Sequence, residues 1–215
     1  MHYSTGFHLV KTQFKIFSEK IFCTFPLAME RAIGYNAYKL DRDSNFFAKQ
    51  LAAANWQKSE KAIMWAVENG ITKGTTDTTF SPNAVCTRAQ IVVFLYRASG
   101  DDASNLKLRF TDVPANVWCA EAVAWAVSKG ITNGTTATTF SPNTAATRGM
   151  VVTVLGRAAG AQGDTASAAK FKDVVSSHYA APYIGWAAAN KIVLGTSDTT
   201  FAPNAAITRE QFIRQ

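Results

Sequence analysis

A ten-residue stretch written three times constrains this chain more than any other feature. Trp65-Ala66-Val67-Glu68-Asn69-Gly70-Ile71-Thr72-Lys73-Gly74 returns as Trp125-Ala126-Val127-Ser128-Lys129-Gly130-Ile131-Thr132-Asn133-Gly134 and again as Trp186-Ala187-Ala188-Ala189-Asn190-Lys191-Ile192-Val193-Leu194-Gly195. The offsets are 60 and 61 residues. The register continues through Thr79-Phe80-Ser81-Pro82-Asn83, Thr139-Phe140-Ser141-Pro142-Asn143 and Thr200-Phe201-Ala202-Pro203-Asn204. It then reaches Thr87-Arg88, Thr147-Arg148 and Thr208-Arg209. Such a period marks an array of small units that must bury their apolar faces against one another. Upstream, Phe110-Thr111-Asp112-Val113 with Trp118 matches Phe171-Lys172-Asp173-Val174 with Tyr179. In the first copy Gln50, Ala52 and Lys58 stand where Phe110, Asp112 and Trp118 would be, so its opening is diverged or replaced.

The divisions that follow are an unassigned segment over 1–45, a first repeat over 46–100 with a diverged start, a second over 106–160 and a third over 168–215. The third ends a turn or two into its last helix, so positions matching Phe94, Leu95 and Ala98 are missing and the unit reads as C-terminally incomplete. Asp101 to Asn105 and Ala161 to Ser167, small and polar, read as linkers. The N-terminal segment is aromatic and mildly basic. It has no Ala-x-Ala cleavage site, and Glu19 and Lys20 interrupt its apolar part. A secretion signal, a wrongly assigned start and the remnant of another segment all remain open for it.

Each copy reads as helix, loop, helix. Ala122, Val123, Ala126 and Val127 form an apolar stripe that stops at Gly130, and Gly70 ends the counterpart helix. Lys191 holds that position in the third copy, which leaves Asn190 as the expected cap. The second helix opens on a threonine N-cap, with capping boxes expected for Thr87 with Gln90 and for Thr208 with Gln211. Cys86 with Ile91, Ala146 with Val151 and Ile207 with Phe212 have the spacing of hydrophobic staples. Ile91, Phe94, Leu95 and Ala98 match Val151, Val154, Leu155 and Ala158 as a core-facing stripe, ended by Gly100 and Gly160. A lone pair of such helices buries too little to offset backbone ordering at ~1 to 2 kcal/mol per residue. The copies must therefore pack together.

Arg88, Arg148 and Arg209 occupy the first helical position, where a cation opposes the helix dipole by ~0.3 to 1 kcal/mol when exposed. Helix stability alone selects Asp, Glu or Pro there. Two readings explain the repetition: an external carboxylate or phosphate landing on a guanidinium fork and free N–H groups, or a salt bridge to a neighbouring copy through Asp112 or Asp173. Spacing does not choose between them. Gly74, Gly134 and Gly195 read as turn glycines needing positive φ, as places where a ligand approaches backbone, or as both. Phe80, Phe140 and Phe201 read as loop anchors. Trp65, Trp125 and Trp186 lie on the helical stripe and read as packing residues, whereas Trp118 and Tyr179 are placed to line a groove.

These features closely resemble the S-layer homology repeat over about Ala53 to Gln215. The resemblance rests on Phe110-x-Asp112-Val113, Trp118, Gly130-Ile131-x-x-Gly134, Phe140-x-Pro142 and the tetrads Thr87-Arg88-Ala89-Gln90, Thr147-Arg148-Gly149-Met150 and Thr208-Arg209-Glu210-Gln211. It implies a mainly α fold with three repeats in a pseudo-threefold, three-pronged spindle. It also implies non-catalytic attachment to secondary cell-wall polysaccharide, often pyruvylated, outside a Gram-positive cell. By that likeness Arg88, Arg148 and Arg209 pair with ligand carboxylate and Gly74, Gly134 and Gly195 let sugar approach. Trp118, Tyr179, Asp112 and Asp173 complete the expected binding set. The middle tetrad departs at Gly149-Met150, and the groove built on the intact middle repeat is the best supported.

Composition narrows the alternatives. Of the 215 residues, 47% are hydrophobic and 17% charged, with 13 Gly and 6 Pro, so a disordered or collagen-like chain is excluded. No run approaches the ~20 apolar residues of a membrane span. A net charge of +7 and a pI near 9.4 favour an acidic partner. The basic residues are scattered and no nucleic-acid motif accompanies them. Cys23, Cys86 and Cys119 lack zinc-site or disulfide-scaffold spacing, and no metal or cofactor is implied. His2, His8 and His178 have no repeated catalytic partner, so the chain reads as a non-enzyme. The alternative function is structural: self-association or protein docking without glycan.

Overall fold

A computed structural model describes residues 57–214. The unassigned N-terminal segment and the diverged opening at Gln50 and Ala52 lie outside the described residues. The elements are α1 (Gln57–Glu68), α2 (Arg88–Ser99), α3 (Ala120–Ser128), α4 (Arg148–Ala158), α5 (Thr165–Ala168), α6 (Ala181–Ala189) and α7 (Arg209–Ile213). The fold is mainly helical, as expected, and β structure among the described residues is limited to isolated bridges. The linker Ala161–Ser167 is not wholly irregular. Asp164 accepts a hydrogen bond from Ser167 N at 3.0 Å and caps the one-turn α5.

The local signals form the caps they specify. Thr87 and Thr208 each complete a capping box, with Gln90 and Gln211 reaching back to the cap amide. Thr147 caps α4 through Met150 N, and methionine cannot return the bond. Gly70, Gly100, Gly130 and Gly160 have φ of +60 to +68°, the left-handed conformation in which glycine carries no Cβ penalty. In the third copy the left-handed residue is Lys191, at φ +57°, and not Asn190. Asn190 instead holds the helix end with its side-chain amide, donating to Trp186 O at 2.8 Å.

The second helices are more deeply enclosed than one stripe requires. Val151, Val154, Leu155 and Ala158 join the core shared with the first two copies, while Val152, on another side of α4, joins the core of the third copy. Thus α4 is buried from two directions. Gly156 lies where a Cβ would collide with the Tyr183 ring, which allows α6 to approach. Ile207 and Phe212 of the third copy enter the large core with Phe94 and Leu95 of the first. No copy owns a complete interior, as the area argument required.

The staple residues also close a cycle of backbone bonds. Cys86 N–H donates to Ile207 C=O at 2.9 Å, Ile207 N–H to Ala146 C=O at 3.0 Å, and Ala146 N–H to Cys86 C=O at 2.8 Å. All three side chains are buried. Around this cycle α2 packs on α3, α4 on α6 and α7 on α1, so each second helix leans on the first helix of another copy.

Candidate functional site

The arginines follow the same cyclic order. Arg88 Nε donates to Phe140 O and its Nη2 to Asn133 O, both at 3.0 Å. Arg148 reaches Phe201 O at 2.8 Å and Leu194 O at 3.0 Å. Arg209 reaches Phe80 O at 3.0 Å and Lys73 O at 2.7 Å. Each guanidinium also lies over the phenylalanine whose carbonyl it binds, with its carbon 4.7, 4.6 and 4.6 Å from the rings of Phe140, Phe201 and Phe80. Hydrogen bonds from a charged donor contribute ~1.5 to 3 kcal/mol each, and an exposed cation–π contact adds ~0.5 to 1 kcal/mol. Together these exceed the dipole penalty of ~0.3 to 1 kcal/mol. The arginine is therefore a latch between copies, and its place at a helix start has an internal explanation.

Both sequence expectations about this residue change in form. Asp112 and Asp173 make no ion pair with the arginines. The ion pairs among the described residues are Lys129–Asp101 at 3.2 Å and Arg214–Glu210 at 3.1 Å. Nor are the helix amides open to an anion. The N–H groups of Arg88 and Ala89 donate to Thr144 O and Pro142 O, those of Arg148 and Gly149 to Ala205 O and Pro203 O, and those of Arg209 and Glu210 to Ala84 O and Pro82 O. What stays available is the guanidinium edge. Among the described residues Nη1 of Arg88, of Arg148 and of Arg209 has no acceptor, and no buried side-chain polar atom lacks a partner. Arg88 and Arg148 are half-buried, whereas Arg209 is 3% exposed and also lies 5.7 Å from the Phe94 ring.

The aspartates anchor the loops that present these carbonyls. Asp112 accepts from Phe140 N at 2.8 Å and Ser141 N at 2.7 Å, and Asp173 from Phe201 N at 2.8 Å and Ala202 N at 2.6 Å. The Phe140 amide holds the Asp112 carboxyl below the ordinary range. At Asp173 burial works the other way but is outweighed by the Phe201 and Ala202 amides, so this carboxyl is low as well. Burial lowers the Arg88 pKa, against the opposing influence of Tyr179 and then Asp112. Arg148 is lowered by burial against Asp173. The Arg88 latch joins two copies, the arginine from the first and, from the second, Asn133 and the Phe140 loop that Asp112 anchors.

Gly134 and Gly195 serve close packing. They are not in the left-handed region, and neither is Gly74. A Cβ on Gly134 would meet the carbonyls of Thr136 and Thr139 and the Phe110 ring; on Gly195 it would meet those of Ser197 and Thr200 and the Phe171 ring. The left-handed loop residues are Ser81, Ser141 and Ala202, at φ +55 to +59°. No glycine marks them, so sequence reasoning passed over them. It also passed over Lys73, Asn133 and Leu194, because any residue type supplies a carbonyl.

Trp118 is 62% exposed and Tyr179 53%, and His178 stacks on Tyr179 at 4.7 Å. Of the helical tryptophans, Trp125 is buried and donates through Nε1 to Asp101 at 2.7 Å. Trp186 packs half-buried on the core of the third copy, and Trp65 is exposed. Cys86 and Cys119 are buried free thiols, and burial pushes Cys86 up to about 12 against Arg209. Among the described residues no His, Cys, Asp and Glu cluster could hold a metal ion, and no helix is long and apolar enough to cross a membrane.

Comparison with known proteins finds three tandem matches along the chain. The S-layer homology domain model matches residues 53–92, 109–149 and 170–213. The chain is 30% identical over 158 residues to a surface-layer 125 kDa protein of Lysinibacillus sphaericus, covering 72% of this chain and 13% of that protein. A cellulosome-anchoring protein of Acetivibrio thermocellus is 28% identical over 62% of this chain and 32% of its own length. An amylopullulanase of Thermoanaerobacterium thermosulfurigenes is 28% identical over 82% of this chain and 9% of its own. The chain thus spans between 9% and 32% of the length of these relatives. With three tandem matches covering more than half of its length, this chain belongs to the S-layer homology domain family.

Proposed function

We propose that this chain is a non-catalytic attachment module that binds anionic, pyruvylated secondary cell-wall polysaccharide in grooves between its repeats and holds a surface protein to the wall. The observation that carries this reading is an unengaged guanidinium edge at Arg88 and Arg148, in a chain whose Trp118 and Tyr179 stand out from the surface. Sugar rings stack on exposed aromatics, and a carboxylate pairs with the remaining guanidinium donors. The three repeats stand about a pseudo-threefold axis as the prongs of a spindle, an arrangement that the cyclic bonds of Cys86, Ala146 and Ile207 support. The names of the surface-layer and cellulosome-anchoring relatives support a role in attachment at the cell surface. Asp112, Asp173 and the glycines Gly74, Gly134 and Gly195 shape the groove by holding its loops, and the module acts outside the cell.

Because the arginines hold copies together, the test uses the exposed aromatics. Wild-type protein should co-sediment with purified wall, and mild acid treatment that removes pyruvate should abolish this. Trp118→Ala and Tyr179→Ala should bind at least tenfold more weakly while unfolding at the wild-type denaturant concentration. Unchanged binding by both variants would refute the reading. The second reading, self-association or protein docking without glycan, is favoured by arginines that serve inter-repeat contacts. It requires oligomers of pure protein in sedimentation velocity.

A further inference from the structure

The three latches share one geometry, but only one of them rests on a peptide bond that can rearrange. Nη2 of Arg209, Arg88 and Arg148 donates to the carbonyls of Lys73, Asn133 and Leu194, and a glycine follows each of these residues. The middle pair is Asn133-Gly134, in which the glycine nitrogen can reach the asparagine Cγ with no Cβ in the way. The chain contains one other such pair, Asn69-Gly70, and both asparagines are exposed. Their hydrogen bonding differs. Gly70 N–H donates to Val67 O at 3.0 Å and Asn69 Nδ2 to Trp65 O at 2.8 Å, so the nitrogen and the amide it would attack are both held. Among the described residues Gly134 N–H has no acceptor and the Asn133 side chain no partner. The Asn133 carbonyl, by contrast, receives Arg88 Nη2 at 3.0 Å and Thr132 Oγ1 at 3.4 Å.

We propose that Asn133-Gly134 is a modification site at which the Arg88 latch promotes deamidation of its own acceptor. Hydroxide removes the Gly134 N–H proton, and the charge left on the peptide resides largely on the Asn133 carbonyl oxygen, where the guanidinium already donates. Gly134 N then attacks Asn133 Cγ. The new N–Cγ bond closes a succinimide ring as the Cγ–Nδ2 bond breaks, and Nδ2 takes a proton from water and leaves as ammonia. Water adds next at the main-chain carbonyl carbon of Asn133, the one that Arg88 polarises, and the bond from that carbon to Gly134 N breaks. Overall, water is consumed and ammonia released. The peptide now runs through Cγ, one carbon longer, as an isoaspartyl link, and the carbon whose oxygen accepted the latch ends as a free carboxylate. Arg88 thus comes to face a carboxylate of its own chain, a stronger acceptor than a carbonyl. Lys73 and Leu194 carry no side-chain amide, so the Arg209 and Arg148 latches cannot follow. The inference does not depend on what the module binds.

Incubation of the protein at mildly alkaline pH, with and without urea, tests this. Peptide mass spectrometry scores amide-to-acid conversion at both asparagines, and protein isoaspartyl methyltransferase labels the isoaspartyl product. In the native protein Asn133 should convert about tenfold or more faster than Asn69, whose two hydrogen bonds must open first. In urea that gap should close, since both are then open Asn-Gly pairs. Arg88→Gln should slow Asn133 about tenfold in folded protein, while the matched Arg148→Gln, which disturbs a different latch, leaves its rate unchanged. Asn69 reports in every sample whether the fold persists, because its protection disappears on unfolding. Should Arg88→Gln lose that protection, the wild type decides: Asn133 converting faster in native protein than in urea upholds the activation, and an equal or slower rate overturns it. Native Asn133 that converts no faster than Asn69, or equally fast with and without Arg88 in folded protein, overturns the inference.

Discussion

Replacing Arg148 measures how firmly the copies are fastened. Arg148→Ala removes the bond to the Phe201 carbonyl at 2.8 Å, which lies on a buried residue, and the bond to the carbonyl of Leu194, which lies at the surface. The first carries most of the ~1.5 to 3 kcal/mol of a charge-assisted bond. The second is partly replaced by water and is worth about 0.5 to 1 kcal/mol. The face of Phe201, 4.6 Å from the guanidinium, adds ~0.5 to 1 kcal/mol. Relief of the helix dipole returns ~0.3 to 1 kcal/mol. The net loss is roughly 2 to 4 kcal/mol, which at a slope of ~2 kcal/mol per molar moves a urea midpoint down by about 1 to 2 M. Arg148→Lys keeps the charge and loses the fork, so its midpoint should fall between the two. Urea titration followed by tryptophan fluorescence reads this directly, with Trp125 buried between copies. A shift below about 0.5 kcal/mol for the alanine variant, the usual range for a bland surface change, would refute the latch.

Other expectations follow from individual contacts. Gly134→Ala drives a Cβ into two loop carbonyls and the Phe110 ring, whereas Gly130→Ala meets nothing within 4 Å and pays only for φ +68°. The first should cost about 2 to 3 kcal/mol and the second about 1 kcal/mol in the same titration. Asp112 and Asp173 have lowered carboxyl pKa values, so the stability they contribute is complete above the ordinary value of 3.8 and is lost as pH falls through their lower folded-state values. Asp173→Asn should flatten the acid limb of the stability profile, and an unchanged limb would remove the anchoring role. Cys86 and Cys119, buried and with raised pKa, should resist iodoacetamide in the native state and react on unfolding, as read by peptide mass spectrometry.

The helices and their ends were legible in the chain because their causes are local. Thr87 with Gln90, Thr208 with Gln211, and the glycines at 70, 100, 130 and 160 act within a few residues of themselves, and each does what its type requires. The repeat also fixed that the copies share an interior. Lys191 shows the limit of local reasoning. Backbone continuity and the bond from Asn190 to Trp186 O hold a lysine in a conformation that its side chain disfavours.

The sequence alone determined the period, the capped helices and the misfit arginine at the head of each second helix, since all of these follow from which residue stands where along the chain. Only the tertiary structure decided what that arginine touches. Its partners are carbonyl oxygens from a different copy, 45, 46 and 136 residues away, and a peptide oxygen has no signature in a string of side chains. The same holds for the occupied helix amides and for the Leu194 carbonyl, whose position beside a guanidinium exists only once the copies have closed on one another.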